Sequence, residues 1–141
     1  MKPPPPPSAA PARRYPVQVL LCPATIYQHA ARFGTGYAPS ETARFAVVRD
    51  GGDKSAPWVL VHRRTGARVG SLLPARARKL TMTEMLAVAA AYEVATHLDW
   101  RPFDSLPVTT PATTGTPKFA DERAAQLLAG ELRAIAANVI P

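Results

Sequence analysis

Apolar residues in the middle of the chain alternate with a period of two and then, beyond a basic stretch, switch to helical spacing. Phe45, Val47 and Val48, then Trp58 to Val61, then Val69, Leu72 and Leu73 form three short runs. They are rich in β-branched, aromatic and leucine residues, the composition of strands. The loop from Asp50 to Pro57, with Gly51 and Gly52, separates the first run from the second. Thr65-Gly66 separates the second from the third, and a glycine there can take the positive φ that a tight hairpin requires. A two-residue loop at this point pairs Arg64 with Ala67 and His62 with Val69. Trp58, Leu60, His62 and Arg64 then share a face with Val69, Ser71 and Leu73, and Val59, Val61, Arg63, Arg68 and Leu72 share the other. A three-residue turn with a glycine bulge would change that register.

The strongest local signal is a helix start. Thr81-Met-Thr-Glu84 matches a capping box, in which the Thr81 hydroxyl accepts from the Glu84 amide and the Glu84 carboxylate reaches back to the Thr81 amide. Leu80 and Met85 stand at the staple positions around it. Met85, Val88, Ala89, Tyr92 and Thr96 form one stripe. Leu86, Ala90, Ala91, Val94 and Leu98 widen it almost around the helix, which predicts cover on two sides. Glu93 and His97, four residues apart, mark the wet side, and Asp99-Trp100-Arg101-Pro102 is the expected end.

On the N-terminal side, Val17 to Leu21 reads as an edge strand between Pro16 and Pro23. Ala24 to Phe33 reads as a helical turn or two, broken by Gly34-Thr-Gly36. Tyr27, His29, Arg32, Phe33 and Tyr37 mix aromatics with base, as nucleic-acid surfaces do. The edge of a core has the same composition, and that is the preferred reading. On the C-terminal side a second helix is expected from Phe119 to Asn138. Its stripe is Ala124, Leu128, Leu132, Ile135 and Val139, Asp121 and Glu122 favour its N-terminal dipole, and Gly130 costs it about 1 kcal/mol relative to alanine.

These patterns predict an α+β fold: a small antiparallel β-meander of three to four strands packed on a long helix, plus a C-terminal helix. The expected organisation is a Pro-rich tail at 1–14, a core domain at 15–102, a Thr/Pro linker at 103–118 and an amphipathic helix at 119–141. The tail, with five consecutive prolines, has nothing in its composition to pack.

Charge sharpens the picture. The net charge of +7 divides unevenly: residues 1–80 hold 13 Lys/Arg against three acids, whereas 81–141 hold four against seven. Arg63, Arg64, Arg68, Arg76, Arg78 and Lys79 form the densest run, with no acid between Asp53 and Glu84. Six cations in so short a reach create a potential suited to phosphates, which arginine binds bidentately. These six are the candidate nucleic-acid-binding residues. An acidic protein is the alternative partner for the same charge.

Catalytic chemistry has little to draw on. His29, His62 and His97 lie at no zinc-binding spacing, and no nucleophile elbow or phosphate-binding glycine loop occurs. Catalytic residues, metal and cofactor are therefore expected to be none. His62, inside a strand, reads as structural, and Cys22, the one cysteine, reads as a small buried hydrophobe. A single cysteine forms no internal disulfide and suits a reducing compartment, so the expected location is cytoplasmic. Pro3 to Pro7 does not suit a signal peptide, and no apolar run reaches the roughly 20 residues of a membrane span. The sequence thus predicts a small basic nucleic-acid-binding or regulatory accessory protein. The second reading is a protein-interaction module acting through the C-terminal helix and the Pro-rich tail, with a homodimer through 119–139 as one form of it.

Overall fold

A computed structural model describes residues 14–22, 30–49, 57–67, 80–113 and 118–140. Four strands form one antiparallel sheet in chain order: β1 (Tyr15–Leu21), β2 (Arg32–Ala38), β3 (Phe45–Arg49) and β4 (Trp58–His62). Three helices follow: α1 (Met82–Val94), the short α2 (Arg101–Asp104) and α3 (Glu122–Val139). The α+β class, the meander and the C-terminal helix are thus those expected from the pattern.

Alternation along β3 and β4 separates two clusters. Phe45, Val47 and Leu60 face the helices and join Met85, Leu86, Val88, Ala89 and Tyr92 of α1, with Trp58 packed alongside. Ala46, Val48 and Val61 face the other way and meet Val19, Leu21 and Ala38 of the first two strands. The ends of β1 and β4 also approach each other. The Cys22 amide, just past β1, donates to the Gly66 carbonyl at 3.1 Å, just past β4. β1 lies at one edge of the described sheet, a place where a proline is tolerated.

β2 is where the sequence reading fails. Arg32 and Phe33 begin a strand, not the end of a helical turn, and Gly34 and Gly36 lie within it. The glycines are there for close approach. A Cβ on Gly36 would run into the Val47 carbonyl of β3, and one on Gly34 into the Val48 side chain. Residues 23–29, the rest of that expected turn, lie outside the described residues.

The β4 turn also differs. The His62 amide donates to the Ala67 carbonyl at 2.9 Å and the Gly66 amide to the His62 carbonyl at 2.7 Å. Ala67 therefore opposes His62, where a two-residue loop would have placed Val69. The turn has four residues, with Gly66 at φ 69°. Val69, Leu72 and Leu73 lie outside the described residues.

The α1 start is the expected one. Thr81 accepts from the Glu84 amide at 3.1 Å, and Glu84 accepts from the Thr81 amide at 3.0 Å. The end is not: α1 stops at Val94 with Ala95 extended, five residues before the expected terminator. His97 is thus beyond the helix and makes no i,i+4 pair with Glu93. Pro102 opens α2, where its missing N–H is harmless, instead of closing α1. The segment around α2 buries Phe103 and Leu106 in the helix-side core. In α3, capped by Asp121, the buried residues are Leu128, Leu132 and Ala136, which pack into the same core. Of the α3 stripe, Leu128 and Leu132 are covered by the chain's own core, and Ala124, Ile135 and Val139 are half-buried.

All described strands fall within residues 1–80 and all described helices within 81–141. Among the described residues the sheet segments carry six arginines against Glu41 and the helical segments four Lys/Arg against seven acids, so the described sheet is basic and the described helical layer acidic.

Candidate functional site

Of the six candidate cations, the structure describes Arg63 and Arg64. Arg68, Arg76, Arg78 and Lys79 lie outside the described residues. Both described arginines sit on the β4 turn and are anchored through one terminal nitrogen. Arg63 Nη1 donates to the Glu41 and Ala43 carbonyls at 2.9 and 3.1 Å. Arg64 Nη1 donates to the Leu106 carbonyl at 2.8 Å. They tie the turn to the β2–β3 connection and to the segment after α2.

The two line a cleft of about 630 Å³ together with Arg44, His62 and three carboxylates, Glu41, Glu93 and Asp104. Arg44 is paired there with Asp104 at 2.9 Å, and its guanidinium lies 4.7 Å from the Trp100 ring centroid. Its amide donates to Glu93 at 2.6 Å. Charge in this cleft is largely balanced. His62 is a satisfied core histidine: Nδ1 is 2.9 Å from Thr65 Oγ1, and the ring packs on Phe103 with centroids 4.7 Å apart. Burial, then the Arg44 charge, lower its pKa to about 4, so the ring is neutral at pH 7. The Cys22 thiol is buried and donates to the Thr65 carbonyl at 3.0 Å, and the Thr109 hydroxyl donates to the same carbonyl. Among the described residues no group of His, Cys, Asp and Glu is placed to hold a metal ion.

A second surface was legible in the sequence only in part, through Phe33 and Tyr37. Arg49 pairs with Trp58 across β3 and β4, and its guanidinium lies 4.5 Å above the Trp58 ring. Tyr37 of β2 lies beside that indole, ring centroids 6.2 Å apart. With Arg14, Gln18 and Thr35 they line an open cleft of about 610 Å³ with no acidic side chain among its described lining residues. Farther along the same face of β2, Phe33 is 65% exposed. The period-two run Phe33, Thr35, Tyr37 was visible in the sequence, but the glycines between them read as breakers.

No helix among the described residues is long and apolar enough to cross a membrane. Comparison with protein-family models, with curated proteins and with solved structures finds no match.

Proposed function

We propose that the protein is a small nucleic-acid-binding or regulatory accessory protein whose affinity comes mainly from the phosphate backbone. The observation that supports this reading is the separation of charge among the described residues, six arginines against Glu41 on the sheet segments and four Lys/Arg against seven acids on the helical ones. Such a separation concentrates positive potential on one side of a small domain, and polyanions bind to that side. A guanidinium has five N–H donors, and the internal bonds of Arg63 and Arg64 engage only Nη1 of each. Anchored arginines with donors to spare lose less side-chain entropy on meeting a phosphate.

An interaction module built on the α3 stripe has less support, because Leu128 and Leu132 are buried in the chain's own core. The test is a binding titration with random-sequence DNA and RNA at roughly 50 mM salt, where charge contacts are strongest. Saturable binding to either is expected. Binding to neither overturns the reading and directs the search to an acidic protein.

A further inference from the structure

We propose that the outer face of β1 and β2, continuous with the Trp58–Arg49 pair, is a stacking platform for unpaired bases, so that the nucleic acid bound is single-stranded. This rests on the reading above and names its substrate class.

The register defines the platform. Pro16 faces Tyr37, Gln18 faces Thr35 and Leu20 faces Phe33 across β1 and β2. Tyr37 in turn pairs with Val47 of β3, which pairs with Leu60 of β4. The platform is therefore the same side of the sheet that carries the helices. Among the strands α1 packs chiefly on β3 and β4 and less on β2. Tyr37 and Trp58 stand where the helical cover ends, half-buried against the core. Phe33 stands four residues along β2, roughly 13 Å away at the rise of a strand, and is 65% exposed.

The chemistry fits unpaired bases. Aromatic rings and guanidinium planes at the sheet surface offer π-faces, and every base has one. The Trp58 ring and the Arg49 guanidinium already form such a stack. Gln18 and Thr35, between the aromatic positions, supply short polar groups for sugar or base edges. Arg14 at the start of β1 lines the cleft, and among the described residues no carboxylate lines it. Duplex bases are stacked on each other and cannot reach these rings.

Phe33 gives the cleanest test, because so exposed a side chain can be replaced without opening the core. The probes are a labelled 20-nucleotide oligothymidine and a duplex of the same length, titrated in parallel with the full chain. The expected result is tighter binding of the single strand. Phe33→Ala should weaken it roughly tenfold, the scale of one lost base–aromatic stack. Phe33→Trp should restore it and Phe33→Leu should not. Arg14→Gln should reduce the salt slope by about 0.7, one phosphate on a single strand, while Phe33→Ala leaves the slope alone. Equal affinity for both probes, with Phe33→Ala binding as the parent does, overturns the platform and leaves phosphate-driven binding standing. Binding to neither probe overturns both.

Discussion

The Cys22 amide donates to the Gly66 carbonyl across the gap between the end of β1 and the end of β4. This bond holds the two outer strands of the sheet near each other at one end. The Cys22 thiol adds a second contact to the same loop through the Thr65 carbonyl. Gly66 is suited to the position because it takes φ 69° and because a Cβ would meet the Leu20 carbonyl. Val19, Leu21, Val48 and Val61 are buried together in one cluster of the sheet.

Gly66→Ala should therefore cost more than the ~1–2 kcal/mol of left-handed backbone strain alone, since the loop must also withdraw from β1. Gly130 on α3 is the contrasting case, exposed and with nothing within 4 Å of an added Cβ. Gly130→Ala should stabilise by roughly 0.4–1 kcal/mol. Urea midpoints of the two variants should move in opposite directions. A tolerated Gly66→Ala would mean that the loop does not close on β1.

His62 couples stability to acid. Its pKa is about 4 in the folded chain against 6.5 in the unfolded one, so the unfolded state binds more protons between those values. Stability from this residue is fully present above pH 6.5, falls as pH drops, and levels off below about pH 4. Between pH 7.5 and 5 the loss should be about 2 kcal/mol. His62→Gln should show a flatter dependence over that interval. Equal slopes for parent and variant would place the histidine in water.

The Tyr92 hydroxyl is buried against the core and finds no hydrogen-bond partner among the described residues. Burial also pushes its pKa upward, since the phenolate would be desolvated. Removing an unsatisfied buried hydroxyl relieves a desolvation penalty of ~1 kcal/mol or more, so Tyr92→Phe should raise the denaturation midpoint. A lower midpoint would reveal a partner for the hydroxyl.

Leu132 of α3 is fully buried in the helix-side core. Leu132→Ala should cost roughly 2–5 kcal/mol, and Leu132→Glu should prevent stable folding. A folded Leu132→Glu chain whose mass by light scattering drops from dimer to monomer would instead mean that the stripe joins two copies.

Local chemistry made α1 legible at its start, where Thr81 and Glu84 need only each other. The alternation of Leu60 and His62 against Val59 and Val61 was legible for the same reason, since each strand states its own faces. β2 was hidden because Gly34 and Gly36 are chosen by β3, a neighbour that the local pattern does not show. The end of α1 was hidden too: Ala95 to Trp100 leave the helix although nothing in their composition forbids it, and Trp100 and Phe103 then pack around Phe45. For the site, the sequence pointed to a run of charge but not to its anchoring. The carbonyl bonds of Arg63 and Arg64 mean that alanine substitutions there remove structural ties as well as charge. The platform aromatics were named in part, through Phe33 and Tyr37, but the pairing of Arg49 with Trp58 follows from a register that an eight-residue loop conceals.

The salt dependence of binding tests the central claim most directly. Labelled DNA is titrated with the parent protein at several salt concentrations between roughly 50 and 200 mM, and log K is plotted against log salt. Four to six phosphates engaged by the basic layer predict a slope of about −4 to −5 on duplex and about −3 to −4 on a single strand. A slope near zero, or no binding at the lowest salt, would contradict the assignment of this protein to nucleic acid.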